Sequence, residues 1–408
     1  MTKPCGLCGN NSFEKMFDLG VVPLGFPVEQ KEIETREIWR EKLELERCDR
    51  CFLVRTVSEL PSESLVSENF YLSGFSQIVS DHDRWFSQHI PEFLSLAKNS
   101  LILEIGCGDG SLLKSFKDRG FDNLIGIEPA IHSELDYPFE VVVDFFNSEV
   151  VSRLKANNKQ PDLIVSNHVL DCVGAVGEFF DNLGELMKEG SYFVMEVPYV
   201  NNIIKNFRVD VFAHVTCSWY TANAIIAAFE KANLELVSLE VDLDYRGGSF
   251  IAIGKKQDKV TFLKPEFQEW KEREKEELSG DRFIDFRERL NELRDEIRAK
   301  INELLNEGMT IWGYGAGIKT STILNWLGLG NKEIGIICDR DPNKHGKIIP
   351  VVNIPVRPVE ELFNQKEPIA VIILAIDHVK EIEATLLKEL KPGSTIIHLL
   401  PEFKIVSL

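Results

Sequence analysis

The stretch Leu101-Ile-Leu-Glu-Ile-Gly-Cys-Gly-Asp-Gly110 decides the fold at the centre of this chain. Five apolar-rich residues of strand length end at Ile105, glycines follow at positions 106, 108 and 110, and an amphipathic run extends from Ser111 to Arg119. Glycine lets the backbone turn sharply and approach a ligand, and the first N–H groups of the following helix are free to meet it. Short apolar runs recur at Leu124 to Ile127, Leu163 to Ser166 and Tyr192 to Val197, with helical patterns between them. Such alternation predicts a parallel sheet wound by helices. Leu234 to Val241 and Ser249 to Gly254 come next with no room for a crossover helix, so an antiparallel hairpin should end the sheet.

Working outward, a second α/β pattern starts at Met309 to Gly313 and continues through Ile334 to Cys338, Ala370 to Ala375 and Thr395 to Leu399. Between the two, Phe283, Phe286, Leu290, Leu293, Ile297, Ile301 and Leu304 recur every three or four residues in a charged background, which predicts one long amphipathic helix. Ser279-Gly280-Asp281 offers it an N-terminal break and Gly308 a stop. The expected organisation is a small module over 1–75, a central α/β domain over 76–257, a linking helix over 258–308 and a C-terminal Rossmann-like domain over 309–408.

With 408 residues, 44% hydrophobic and 27% charged, the chain has the balance of a globular protein of two or three domains. Its 65 acidic against 46 basic residues give a formal charge of −19, which argues against a nucleic-acid backbone binder. No apolar run is long enough to span a membrane and the N-terminus lacks a signal-like core, so a cytoplasmic protein is expected. Eight cysteines are too few for a disulfide framework, and four of them form the pairs Cys5-x-x-Cys8 and Cys48-x-x-Cys51. Two matched pairs of this kind suit a closed, structural zinc site better than a redox pair or unrelated surface thiols.

Glu128 ends the second strand 18 residues beyond Gly110, where a carboxylate can take both hydroxyls of a ribose. With the acidic Glu104 opening the glycine loop and a hairpin ending the sheet, the pattern resembles the class I S-adenosylmethionine-dependent methyltransferases. The resemblance implies that Gly106, Gly108 and Gly110 form the methionine side of the cofactor site, that Glu128 holds the ribose and that Asp144-Phe145 borders the adenine. Ser166-Asn167 would lie beside the sulfonium.

Further stretches narrow the match: Leu19-Gly-Val-Val-Pro-Leu24, Glu196-Val-Pro198, Arg246-Gly-Gly-Ser249, Tyr314-Gly-Ala-Gly-Ile-Lys319, Asn325, and Cys338-Asp-Arg-Asp-Pro342. Together they resemble the three-domain C-methyltransferases of nucleotide-linked deoxy-keto sugars. In that family a zinc module and a C-terminal domain enclose the sugar nucleotide against the central domain. By this resemblance Tyr71, Arg246, Tyr314, Lys319, Asn325 and Asp339 are candidate substrate-binding residues.

The family reaction needs a base beside the acceptor carbonyl, supplied by a histidine after the fourth strand and by a Tyr-His-Glu-His stretch after the fifth. Here the first position reads Val169-Leu-Asp171-Cys172 and the second Val211-Phe-Ala-His214. His214 is therefore the leading candidate base, with His168, Asp171 and Cys172 behind it. The departure leaves other acceptors open, an oxygen or nitrogen nucleophile, or a binding protein that keeps the cofactor without methyl transfer. A nicotinamide-dependent oxidoreductase built on Gly313-Tyr-Gly315-Ala-Gly317 is a third reading, since Asp339 stands 22 residues past Gly317.

Overall fold

The computed structural model describes residues 3–23, 27–35, 40–58, 77–131, 135–243, 245, 248–258, 263–278 and 280–408. Tyr71 and Arg246 lie outside them.

The chain opens with three antiparallel strands, β1 (Phe13–Pro23), β2 (Arg40–Cys48) and β3 (Val54–Thr56). The central sheet is built from β4 (Ile102–Ile105), β5 (Leu124–Ile127), β6 (Glu140–Val142), β7 (Leu163–Asn167) and β8 (Tyr192–Pro198), all parallel. A two-residue strand, β9 (Ser218–Trp219), then leaves this domain and pairs with β3, so the N-terminal sheet receives its fourth strand from the centre of the sequence. The hairpin of β10 (Leu234–Asp242) and β11 (Ser249–Lys256) completes the central sheet, with β11 antiparallel to β8. Its spatial order is β10-β11-β8-β7-β4-β5-β6. The order reverses between β4 and β7, and a crevice at such a reversal is where open α/β sheets take their ligands.

The charged region after the hairpin forms two helices, Pro265–Glu277 and Gly280–Asn306, where the sequence pattern suggested one. Its seven periodic apolar residues are all buried. They share one core with β1, β2 and the C-terminal sheet, so the longer helix is a packed layer rather than a free arm. The shorter helix is fixed by Glu274, whose fully buried carboxylate accepts from the amides of Ala222 and Asn223 at 2.7 and 2.9 Å, capping helix Ala222–Lys231.

The C-terminal sheet contains β12 (Thr310–Tyr314), β13 (Ile336–Asp339), β14 (Ile348–Ile349), β15 (Ile354–Pro358), β16 (Ile369–Ile373), β17 (Thr395–His398) and β18 (Lys404–Ser407). Their order is β14-β15-β13-β12-β16-β17-β18, and its reversal lies between β12 and β16. An N-terminal residue reaches this sheet: Val28 and Ile348 exchange backbone hydrogen bonds of 2.9 and 2.8 Å at its β14 edge. Among the described residues no helix is long and apolar enough to cross a membrane.

Candidate active site

The glycine loop leaves β4 at the sheet's reversal. Gly106, Gly108 and Gly110 all have positive φ, at 75°, 51° and 75°. A side chain at Gly106 would drive into the methyls of Val169, and a Cβ at Gly110 would lie 2.6 Å from the Phe139 ring. The turn is therefore closed to any other residue both conformationally and sterically. The Glu128 carboxylate accepts from the amides of Gly108 and Ala130, each at 3.0 Å, which joins the loop to the end of β5. Asp144 accepts from the Phe145 amide at 2.8 Å, and the Phe145 side chain is exposed.

Carboxyl groups gather at this crevice. Glu104 is buried, and its Oε2 has no hydrogen-bond partner among the described residues. Burial first, then the negative charges of Asp83, Asp109 and Glu128, hold its carboxyl well above the usual range. Burial likewise raises Glu128. A pyrophosphate brought against these carboxylates would be repelled, whereas an ammonium and a sulfonium would relieve them. Asp83 comes from helix Gln77–Leu94, which lies over the loop and receives the Ser111 hydroxyl at 2.6 Å.

The acceptor-side candidates fall in two places. Ser166 is fully buried in β7, and its hydroxyl has no hydrogen-bond partner among the described residues; Asn167 ends the strand. His168 follows with φ of 52°, and its neighbour Val169 is the residue that abuts Gly106. Asp171 and the exposed Cys172 belong to the next turn, where the Asp171 carbonyl accepts from the Cys217 amide at 2.6 Å. Beyond that turn a cleft of about 310 Å³, lined in part by Gly6, Arg55, Gly174 and Cys217, separates the N-terminal sheet from the central domain. His214 sits elsewhere: its Nε2 lies 2.9 Å from the Glu41 carbonyl, against paired strands in which Val22 faces Glu41. Burial lowers its pKa.

The sequence pattern did not reveal His82 and Glu196 as a pair. Glu196, at the end of β8, is wholly buried; its Oε2 is hydrogen-bonded to His82 Nε2 at 2.7 Å, and its Oε1 lies 3.6 Å from His168 Nε2. Tyr245 stacks on His82 with ring centroids 3.8 Å apart. Three elements remote in sequence converge here, which no local motif could signal.

In the C-terminal sheet, Asp339 accepts from the Ala316 amide at 2.7 Å and from Lys344 at 3.2 Å, closing the glycine turn on itself. Lys319 lies 2.6 Å from Asp377, which also meets Arg208 at 2.5 Å. Arg208 holds Asp210 through two bonds of 2.7 Å. This four-charge cluster, with Arg208 and Asp210 buried and Lys319 and Asp377 at its open side, brings the central domain against the reversal of the C-terminal sheet. The Tyr314 ring is buried, which raises its phenol, and Asn325 is half-buried in the following helix. At the N-terminus the sulfurs of Cys5, Cys8, Cys48 and Cys51 lie within 4.8 Å of one another, an arrangement that can hold a metal ion.

Comparison with known proteins agrees with this geometry. Residues 81–239 match a family model described as a methyltransferase domain, and residues 244–401 match the C-methyltransferase C-terminal domain. The chain belongs to the C-methyltransferases. Its S-adenosylmethionine-dependent methyltransferase fold accounts for the glycine loop and the hairpin-ended sheet. This C-methyltransferase is 24% identical to the C-methyltransferase NovU of Streptomyces niveus over 408 aligned residues, 99% of this chain and 96% of that protein. Among solved structures, a methyltransferase from Methanosarcina mazei matches 41% of the chain and 97% of its own, at 16% identity and a TM-score of 0.32. The 1,6-didemethyltoxoflavin N1-methyltransferase of Burkholderia thailandensis matches 50% of the chain and 96% of its own, at 13% identity and a TM-score of 0.35.

Proposed function

We propose that this enzyme transfers a methyl group from S-adenosylmethionine to a carbon of a nucleotide-linked sugar, next to a keto group. The observation that carries the donor half is the buried, cation-seeking carboxylate cluster around Glu104 at the glycine loop. The donor supplies a methyl on a sulfonium, whose S–C bond breaks with its electron pair going to sulfur as the acceptor carbon forms the new bond. Gly106, Gly108 and Gly110 give it close backbone approach, Glu104 faces its ammonium, Glu128 its ribose, and Asp144 with Phe145 its adenine. The acceptor half is supported by the resemblance along the whole chain and by the relative matched nearly end to end.

The four sulfurs support a structural zinc: an ion about 2.3 Å from each of four thiolates puts them about 3.8 Å apart, and the Cys5–Cys51 and Cys8–Cys48 separations are 3.5 Å. A closed four-thiolate site has no open position, so its chemistry is to fold the module. Lys319, Tyr314, Asn325 and Asp339 remain the C-terminal candidates for the sugar nucleotide, and His214 and His168 the candidates for the base.

A panel of nucleoside diphosphate-linked keto-deoxy sugars, incubated with the enzyme and methyl donor, should yield one product heavier by a methylene with the label on carbon. Product carrying the methyl on oxygen or nitrogen would replace this reading. Calorimetry should show donor binding lost in Gly106→Arg.

A further inference from the structure

His168 combines several features seldom found together by chance. Its φ of 52° is uncommon for a residue with a side chain, and histidine, asparagine and aspartate tolerate it best. It occupies the first position beyond β7, at the reversal of the central sheet, one residue from the contact that closes the donor loop. Strain held at such a place usually marks a side chain aimed for a purpose.

The partners of His168 fit that purpose. Glu196 has no exposed surface, and a carboxylate so buried needs compensating charge or bonds. His82 provides the closer contact, 2.7 Å to Oε2. Oε1 has no hydrogen-bond partner among the described residues and lies 3.6 Å from His168 Nε2, with the Ser249 hydroxyl at 3.4 Å from the same nitrogen. Placing the imidazole proton on Nε2 serves this carboxylate oxygen and leaves Nδ1 as a lone pair. This is the logic by which a buried carboxylate fixes the tautomer of a catalytic histidine. Tyr245 covers His82 face to face and meets the His168 ring edge-on at 5.6 Å. On the donor side the charges of Asp83, from helix Gln77–Leu94, and of Asp109 act on Glu104 in β4.

We propose that His168 is the base that removes the acceptor proton, with Glu196 and His82 as its positioning residues. Nδ1 takes the proton, and the C–H electron pair passes into the carbonyl as an enolate, which is the nucleophile. The proton is held by the imidazole, whose charge Glu196 balances. This inference rests on the keto-sugar reading given above. It assigns the step that the missing family residues leave vacant, and leaves His214 to clasp the β1–β2 pair.

Proton removal can be read without methyl transfer, as exchange of the acceptor C–H for deuterium in heavy water with S-adenosylhomocysteine present. Wild type should exchange one of the keto-sugar nucleotides. His168→Asn, chosen because asparagine accepts the left-handed backbone, should lose at least 100-fold while binding S-adenosylhomocysteine within about threefold. Glu196→Gln should move the acid limb of the exchange profile. Exchange by His168→Asn within threefold of wild type would overturn the proposal, as would loss confined to His214→Ala. If wild type exchanges none of the sugars, the acceptor reading fails, and histidine-selective NMR of the full chain decides this one. The Nε2–H tautomer at His168 sustains the positioned base, and the Nδ1–H tautomer overturns it.

Discussion

At the scale of single residues, the site is fixed by where side chains are forbidden and where charge is buried. Gly106 combines positive φ with the Val169 methyls lying where a Cβ would go. Gly106→Ala should therefore fold less stably, by about 1–3 kcal/mol, and bind the methyl donor at least tenfold more weakly by calorimetry. Glu196 gives a pH signature. The His168 and His82 contacts outweigh burial and hold its carboxyl down at about 2, below the ordinary 4.5. A carboxyl lowered on folding contributes stability that is complete above the unfolded value and lost as pH falls toward the folded one. Melting temperatures of wild type and Glu196→Gln should differ most above about pH 4.5 and converge as the pH is taken down toward 2. A difference that grew on acidification would contradict the ion-paired geometry.

Among the elements, those that read clearly in the sequence were those whose local pattern matched their burial. Leu163 to Val165 and Ile369 to Ile373 are apolar throughout because both faces of a wound parallel sheet are covered. The glycine loop was legible because its turn needs particular residue types. Strands such as Glu140–Val142 and Ile348–Ile349 gave little pattern, being two or three residues at sheet edges. The pairing of β3 with β9 was hidden for a different reason, since nothing near Val54 announces a partner at Trp219. The same holds for the site: Glu104 and Glu128 sit in a motif, whereas the contact of His82 with Glu196 spans 114 positions. For the long helix Gly280–Asn306 the periodicity gave the right face but not its use. Ile297 is fully buried in the core shared with the N-terminal sheet and the C-terminal domain. Ile297→Ala should cost about 2–5 kcal/mol in urea unfolding. A loss under about 0.5 kcal/mol would mean a solvated surface and would make the helix a linker rather than a packed layer.

For the whole molecule, the N-terminal module is bound to both other parts. Gly177 has no room for a side chain because the Gly6 backbone lies against it, and β9 completes the module's sheet. Removing the proposed zinc with a chelator, or Cys51→Ser, should then lower the melting temperature of the chain in a single transition followed by calorimetry. Two separated transitions would show the module to be autonomous. The strand pairings also set a timetable for synthesis. The ribosome delivers all four thiols within the first 51 residues, but β3 meets its neighbour only when residues 218–219 emerge, and Val28 waits for Ile348. Until then the nascent module carries an unpaired strand edge of the kind that invites association with other chains. Its metal can be loaded early, but its first sheet is finished only after more than half of the polypeptide has been made.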